Sequence, residues 1–250
     1  MGFEKEIEAQ FTLRAPEFER SARWIADPGL LAAHAALAHP APEGRLLEIC
    51  CGTGVVGASF RGKFGRLVGV DLTPEMLARA RRRLDECVRA SVYELPFPAA
   101  SCAAAVLREA LHLMESPSGA LAEAFRVLRP GGQMIVSHIV PYGGGDAEWM
   151  RRVFLKKQPL ARHFFSVEDL EALLRQAGFS VIGVTDYLLE ESIQRWVDTH
   201  ETPPPVREEI YKLYRDASPE LRRVRAIRME PDGTIFDRWR WVLLSGIKKS

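Results

Sequence analysis

The chain has 250 residues, of which 34 are Lys or Arg and 33 are Asp or Glu, so its net charge is +1, and 47% of the residues are hydrophobic. This composition is typical of a globular domain that is large enough to bury a core, which excludes the collagen-like and disordered classes. A near-zero charge also argues against non-specific nucleic-acid binding, because neutralising phosphates requires a surplus of Lys and Arg. We therefore expect no nucleic-acid partner.

Cysteine spacing and the N-terminus narrow the class further. The four cysteines form no CxxC pair and show no ligand spacing with histidine; they are Cys50, Cys51, Cys87 and Cys102. This pattern predicts neither a zinc site nor a disulfide framework, so we expect no metal. The N-terminal residues mix acids and bases, and no run of 18 apolar residues occurs. We expect a cytoplasmic protein without an integral membrane segment.

The first 40 residues predict a helical cap. Residues 17–39 are rich in Ala and Leu and break at Asp27-Pro28-Gly29, which predicts two helices joined by a turn.

From residue 45 onward, strands alternate with helices. An apolar run at 45–50 predicts a buried strand, a glycine-rich loop follows, and a second strand is expected at 66–71. Thr73 and Pro74 then begin a helix that runs to about residue 85. The remaining predicted elements are strands at 87–91, 103–108, 133–140, 180–188 and 235–247, and helices at 117–128 and 166–178. This alternation predicts an α/β fold with a doubly wound, mostly parallel sheet.

Two stretches lie outside a minimal sheet of this kind. Residues 141–165 begin with a glycine run and carry aromatic side chains, which predicts a hinged lid above the strand ends. Residues 190–232 contain three consecutive prolines and separate two strands, so they are predicted to be a helical insertion that forms a substrate region or a homodimer surface. We accordingly divide the chain into a cap at 1–40, a ligand-binding domain at 41–188 and 233–250, and the insertion.

A glycine loop and a distant acid predict a nucleoside-binding site. Gly52, Gly54 and Gly57 follow the first strand, where glycine lets the backbone turn tightly and approach a ligand. Asp71 lies 19 residues after Gly52, at the tip of the next strand, where its carboxylate can accept both hydroxyls of a ribose. This fingerprint by itself suits NAD as well as other nucleosides.

Five motifs, taken in sequence order, indicate which nucleoside-containing cofactor the chain binds. The sequence LEICCGTG at 47–54 resembles the first motif of class I S-adenosylmethionine-dependent methyltransferases, and VDLTPEML at 70–77 resembles their second motif. Segments 94–98, 122–132 and 165–179 resemble later motifs, and the likeness is closest to the ubiquinone/menaquinone-methyltransferase-like branch. The resemblance implies a Rossmann-like methyltransferase fold whose seven-stranded sheet has an antiparallel last strand. It also implies S-adenosylmethionine as cofactor, S-adenosylhomocysteine as product, and methylation of a small organic acceptor at oxygen or carbon.

The resemblance also assigns cofactor-binding residues. Glu48 and the loop backbone would hold the methionine end, Asp71 the ribose, and Leu72 with Met76 the adenine. The complete predicted set is Glu48, Cys50, Gly52, Thr53, Gly54, Asp71, Leu72, Met76, Ser91 and Val92. Independently of the family, a sulfonium cation favours a nearby carboxylate, and Glu48 is the only acid near the tip of the first strand.

At the predicted cofactor site, two residues depart from the family pattern. Cys50 replaces the first glycine of the loop, so we expect its backbone to keep a negative φ. Ser91 replaces an acid that usually binds the adenine amine, although its hydroxyl can still accept a hydrogen bond. Two alternative functions therefore stay open. The departures are compatible with a protein that binds S-adenosylmethionine without turnover, and the glycine pattern is compatible with an NAD-dependent oxidoreductase.

Methyl transfer depends mainly on positioning, and a general base is needed only when the acceptor must lose a proton. His112, after the fourth strand, and His138, near the end of the fifth, are the candidate catalytic residues; each could instead be a structural polar residue. Candidate substrate contacts are Phe18, Glu109 and Trp149. Their alternative roles are a hydrophobic staple, a solvated loop carboxylate and a core aromatic residue.

Overall fold

One central sheet organises residues 2–249, the part of the chain that the computed structural model describes. Its eight strands are β1 (Ala41–Ile49), β2 (Phe64–Asp71), β3 (Glu86–Arg89), β4 (Cys102–Arg108), β5 (Leu128–Val140), β6 (Phe179–Ser192), β7 (Arg228–Met229) and β8 (Ile235–Lys248). Seven strands form the sheet in the order β3-β2-β1-β4-β5-β8-β6, and the two-residue β7 pairs with β8.

The strand directions confirm the predicted fold class. The five strands β1 to β5 pair in parallel, whereas β8 runs antiparallel to both of its neighbours, β5 and β6. A dinucleotide-binding sheet has the order 3-2-1-4-5-6, in which no late strand separates the fifth from the sixth. The position of β8 therefore favours the methyltransferase arrangement over the NAD-binding one.

Ten helices surround the sheet in the described part of the chain. They are α1 (Phe3–Arg14), α2 (Pro28–Leu37), α3 (Val55–Ser59), α4 (Pro74–Ala80), α5 (Pro117–Val127), α6 (Gly144–Lys157), α7 (Val167–Gln176), α8 (Ile193–Val197), α9 (Pro204–Arg215) and α10 (Pro219–Arg225). Side chains determine where several of them begin. Asp27 caps α2 by accepting a hydrogen bond from the Leu30 amide, and Ser166 with Asp169 forms the capping box of α7.

Two hydrophobic clusters form the core, one on each face of the sheet. In β1, Leu46 packs into one cluster and Leu47 into the other, and both side chains are fully buried. Because side chains alternate along a strand, a parallel strand covered on both faces needs an uninterrupted apolar run. This explains why β1 and β4 were evident from the sequence.

The N-terminal region differs from the prediction. The first predicted helix was expected to end near residue 26. Two single 3-10 turns, at Phe18–Arg20 and Arg23–Ile25, replace it. The helix α1, which was not predicted, precedes them. The Glu191 carboxylate accepts hydrogen bonds from the amides of Arg23 at 2.7 Å and Trp24 at 3.2 Å. These amides are therefore bound to a distant strand instead of to carbonyls of a local helix.

Residues 141–165 form a packed helix and not the hinged lid that we expected. In α6, Met150, Val153 and Phe154 are buried, and the helix packs along α9 of the insertion. At its start, Asp146 pairs with the fully buried Arg225 of α10 at 2.7 Å, and Arg225 also pairs with Asp237 of β8 at 2.8 Å. This ion network fastens both α6 and the insertion to the sheet.

Within residues 2–249, none of the helices is both long enough and apolar enough to cross a bilayer.

Candidate active site

A cavity lies at the carboxyl ends of β1, β2 and β4, beneath α1. The sheet contributes loop and strand-end residues to its wall, among them Glu48, Cys50, Gly52, Thr53, Asp71, Leu72, Val92, Arg108 and Glu109. The N-terminal region contributes Phe3, Glu4, Ile7, Phe11, Arg14, Phe18 and Trp24. Ligands of doubly wound sheets bind at this edge, because the loops that follow parallel strands converge there.

The loop after β1 needs three residues in the left-handed region of the backbone. Gly52 has φ +51°, Gly54 has φ +77°, and Cys50 has φ +55°. The expected negative φ of Cys50 is therefore wrong: a non-glycine residue adopts the left-handed conformation here and bears its conformational cost. The side chain of this residue forms part of the cavity wall.

The third glycine of the loop leaves room for the Glu48 carboxylate. A Cβ atom at Gly57 would lie 2.5 Å from Glu48 Oε2. That same oxygen accepts a hydrogen bond from the Gly57 amide at 2.8 Å. Glu48 is 5% exposed, and burial raises its pKa to about 8, against the stabilising effect of this amide. Without a ligand, Glu48 is thus largely protonated at neutral pH.

Asp71 is held by main-chain donors at the tip of β2. Its Oδ2 accepts a hydrogen bond from the Gly52 amide at 2.8 Å, and its Oδ1 accepts one from the Thr73 amide at 2.9 Å. Burial raises the pKa of this carboxyl group, and the two amides oppose that shift. Each carboxylate oxygen can accept two hydrogen bonds, so one acceptor position per oxygen is left for the hydroxyls of a ligand.

The structure does not place every predicted cofactor residue on the cavity wall. Gly54, Met76 and Ser91 lie behind it, Met76 is fully buried, and Ser91 donates its hydroxyl to Glu4 Oε1 at 2.5 Å. The other seven predicted residues line the cavity. Their roles in binding stay predictions.

Helix α1 covers the cavity, although the predicted elements did not include it. Phe3, Ile7 and Phe11 recur at intervals of four residues and face the cavity. This spacing is the signal that could have predicted the helix and its inner face. Outside the cavity, Glu8 pairs with Arg89 at 2.7 Å and the Thr12 hydroxyl donates to Glu75 at 2.9 Å. Both contacts hold α1 against the edge where the adenine is predicted.

The candidate catalytic histidines lie close to Glu109, at the ends of β4 and β5. His112 Nδ1 is 3.2 Å from His138 Nε2 and 3.8 Å from Glu109 Oε1. The side chains of all three residues are at most 6% exposed, and among them only Glu109 lines the cavity. Burial, together with the neighbouring His138, holds the pKa of His112 well below its usual range, and burial raises the pKa of Glu109. His112 is therefore neutral.

The structure places two of the three predicted substrate contacts on the cavity wall and the third away from it. Phe18 and Glu109 line the cavity, whereas Trp149 does not: its indole packs edge-on against Tyr214 in the layer formed by α6 and α9. Trp149 also donates its Nε1–H to the Leu213 carbonyl at 3.3 Å. In this structure Trp149 is a packing residue of the insertion.

Two arginines at the site carried no signal in the sequence. Arg108 donates hydrogen bonds to the carbonyls of Trp24 and Ile25 at 3.3 and 2.9 Å, and burial lowers its pKa to about 10. Arg14 donates to Gln158 Oε1 at 3.1 Å and lies 3.4 Å from Glu201 of the insertion. Both arginines therefore join the N-terminal region to other parts of the chain at the end of the cavity near Glu109.

An antiparallel strand between β5 and β6, a glycine loop after β1 and an acid at the tip of β2 define the class I S-adenosylmethionine-dependent methyltransferases. A family model described as a methyltransferase domain matches residues 47–136. The fold and this match make the chain similar to members of this class, whose cofactor is S-adenosylmethionine.

Individual proteins show the same similarity. An O-methyltransferase of Penicillium expansum is 31% identical over 65% of this chain and 61% of its own length. A demethylmenaquinone methyltransferase of Thermus thermophilus is 27% identical over 55% of this chain and 74% of its own length. The solved structure of a candidate methyltransferase from Bacillus halodurans has a TM-score of 0.81 at 21% identity and covers 88% of this chain and 99% of that one. The chain spans less than two thirds of several curated relatives.

Proposed function

We propose that this protein transfers a methyl group from S-adenosylmethionine to an oxygen or carbon atom of a small organic acceptor. The observation that carries the proposal is Asp71, which two main-chain amides hold at the cavity wall, beside a loop whose backbone is open to a ligand. When bound, S-adenosylmethionine supplies a methyl group on a sulfonium centre.

The side chains of the cavity fit the separate parts of this cofactor. Asp71 has free acceptor positions for the ribose hydroxyls, and Leu72 with Val92 provides an apolar wall for the adenine. Glu48 would hold the cationic methionine end, because a carboxylate is the side chain that best stabilises a positive charge in a buried site. The cation in turn favours ionised Glu48, so binding at neutral pH would release a proton.

The acceptor would bind at the end of the cavity near β4. Apolar side chains there include Trp24, Leu113 and Met114, and polar groups are supplied by Arg14, Glu109 and Gln158. An apolar wall with a few polar groups is typical of a pocket for a small organic molecule. We propose that Glu109 contacts the acceptor and that His112 and His138, which lie off the cavity wall at 3.8 and 3.3 Å from the Glu109 carboxylate, act on the reaction through Glu109. The burial of the pocket beneath α1 excludes water during transfer.

Isothermal titration with S-adenosylhomocysteine and, separately, with NADH tests the proposal. We expect the wild type to bind S-adenosylhomocysteine and not NADH, and Asp71→Asn to lose about tenfold or more in affinity, because two hydroxyl hydrogen bonds to a charged acceptor are weakened. Asp186→Asn is the matched control, since Asp186 is exposed on β6 and pairs with Arg240.

The same protein is then screened for methylated products by mass spectrometry with small hydroxylated and enolic acceptors. A product that carries one added methyl group supports turnover. Binding of S-adenosylhomocysteine without a product from any acceptor favours a protein that holds the cofactor without turnover. Binding of NADH alone contradicts the proposal.

A further inference from the structure

Three buried side chains at the acceptor end of the cavity form the ligand set of a metal site. One ligand atom from each of Glu109, His112 and His138 lies within 4.8 Å of the other two. Two histidines and one carboxylate are a frequent set for zinc and for other divalent first-row transition metals. Glu109 and His112 follow β4 and His138 is in β5, so the sequence spacing did not suggest the site.

The hydrogen bonds at this cluster turn its three residues toward one another. His138 Nδ1 contacts the Ile139 carbonyl at 2.8 Å and Glu109 Oε2 at 3.3 Å, which assigns the ring proton to Nδ1. His138 Nε2 then accepts a hydrogen bond from His112 Nδ1 at 3.2 Å, and a metal ion bound at His112 Nδ1 would shift that proton to His112 Nε2. The Ile139 amide donates to Glu109 Oε2 at 2.7 Å, which leaves Oε1 on the side of His112. Metal-binding histidines are usually oriented in this way, by a backbone carbonyl on the second ring nitrogen.

The main chain at Glu109 supports the same assignment. Glu109 has φ +49°, in the left-handed region that a residue with a long side chain seldom occupies. Such strain is retained where the surroundings determine the conformation, and it is frequent at functional sites. Here it holds the carboxylate between the Ile139 amide and the two imidazoles, on the wall of the cavity.

We propose that Glu109, His112 and His138 bind one divalent transition-metal ion through Glu109 Oε1, His112 Nδ1 and His138 Nε2. Three protein ligands leave at least one coordination position for an outside ligand. Glu109 is on the cavity wall, so this position faces the pocket in which the acceptor would bind. If the proposed methyl transfer holds, the ion coordinates an acceptor hydroxyl and favours its ionised form, with no protein base required.

Metal uptake is measured directly on the whole protein after dialysis against a chelator. We expect about one equivalent of Co²⁺ per chain, detected by the visible absorption bands of the ion, and displacement of Co²⁺ by Zn²⁺. Glu109→Gln, His112→Asn and His138→Asn should each weaken binding by roughly tenfold or more. Circular dichroism identifies any variant that fails to fold, and the remaining ligand variants then decide the result.

His163→Asn is the matched control. His163 is near the cluster, where its Nε2 contacts the Met114 carbonyl at 3.0 Å and its ring stacks on Phe165, but it is not one of the three ligands. This variant should bind Co²⁺ within about twofold of the wild type, as expected for a residue outside the ligand set. Failure of the wild type to bind Co²⁺, or equal binding by the folded ligand variants, overturns the proposal. Titration with S-adenosylhomocysteine, run in parallel, shows independently whether the proposed function stands.

Discussion

At the residue scale, the two carboxylates of the cavity, those of Glu48 and Asp71, differ in how they are solvated. Asp71 accepts hydrogen bonds from two amides, whereas Glu48 accepts one at 2.8 Å and is more completely buried. Main-chain donors replace much of the water that a carboxylate loses on burial. Glu48 has fewer such hydrogen bonds than Asp71, and burial raises the pKa of Glu48 to about 8. We conclude that Asp71 is ready to bind a neutral diol, while Glu48 becomes charged in response to a cation.

The pKa of Glu48 predicts a pH-dependent stability of the ligand-free protein. Because the folded-state pKa, about 8, lies above the ordinary value of 4.5, folding favours the protonated group. The associated stability is present below the ordinary pKa and is lost as the pH rises through about 8. Between about pH 5 and about pH 8.5, the free energy of unfolding of the wild type should fall by a few kcal/mol relative to Glu48→Gln. Urea unfolding of both proteins across this range checks the difference, and parallel curves would contradict it.

Gly57 is predicted to be indispensable for the position of Glu48. An alanine Cβ at residue 57 would meet Glu48 Oε2 at 2.5 Å and Leu84 Cδ2 at 2.9 Å. Gly57→Ala should therefore cost about 1–3 kcal/mol of stability and weaken binding of S-adenosylhomocysteine. Gly145→Ala, in a helix with open space around the glycine, should change neither property appreciably. Thermal unfolding and titration calorimetry on both variants measure the contrast; equal effects would show that the steric argument fails.

At the element scale, α1 is the segment that closes the cavity. Its inner face carries Phe3, Ile7 and Phe11 together with Glu4 and Arg14, and two further polar ties to neighbouring elements lie outside the cavity, at Glu8 and Thr12. By contrast, α6, which resembled a lid in the sequence, is fastened by Arg225 through Asp146. We therefore expect entry of a cofactor to displace α1 and not α6.

Weakening the outer ties of α1 should speed release of the ligand. The double variant Glu8→Gln/Thr12→Val removes the contacts to Arg89 and Glu75 without altering the cavity wall. These contacts are together worth about 1 kcal/mol, so the dissociation rate constant of S-adenosylhomocysteine should rise by roughly fivefold. Stopped-flow measurements test this, with Glu6→Gln on the exposed face of α1 as the control. An unchanged rate in the double variant would mean that α1 does not limit release.

At the scale of the whole molecule, one buried ion network holds the insertion onto the sheet. Arg225 is 0% exposed and pairs with Asp146 and Asp237, and Asp237 also accepts hydrogen bonds from Tyr214 and Trp239. A buried pair contributes little net stability when intact, but loss of one partner leaves an uncompensated charge. The network therefore determines where the insertion sits more than how stable the fold is.

Removal of the arginine should be strongly destabilising. Arg225→Met leaves two buried carboxylates without their cation and should lower the free energy of unfolding by about 3–5 kcal/mol. Arg223→Met, at an exposed position of the same helix, should stay within about 0.5 kcal/mol of the wild type. Urea unfolding compares the two variants. A small loss in Arg225→Met would indicate that the carboxylates are protonated or reached by water.

Much of the cofactor half was predictable because its signals are local. A strand buried on both faces needs an apolar run, a tight turn needs glycine, and the acid must follow the next strand at a suitable distance. Leu46, Leu47, Gly52 and Asp71 each satisfy one of these requirements within a few residues. These local signals predicted the sheet class, and the resemblance to the methyltransferase motifs predicted the cofactor class. Both predictions are confirmed, whereas the individual binding roles stay predictions.

The acceptor half was predictable only in part: Phe18 and Glu109 were predicted and line the cavity, but most of its other contacts join residues far apart in the chain. Glu191 withdraws two amides from the predicted first helix, Arg14 reaches Glu201, and Arg108 binds carbonyls more than 80 positions away. Helical spacing gave a usable signal for α1, but no pattern of spacing joins Glu109 and His112 to His138.

Local patterns in the sequence were enough to predict the parallel sheet, the glycine loop and the acid of β2, and the resemblance to the methyltransferase motifs supplied the class of cofactor. The sequence predicted an N-terminal cap, but only the folded chain shows that α1 is the helix that covers the cavity, that Trp149 packs away from it, and that a glutamate and two histidines converge beside it. This division follows from the range of the forces involved. Backbone geometry and burial periodicity act over a few residues, whereas hydrogen bonds and ion pairs between distant elements exist only after the chain has folded.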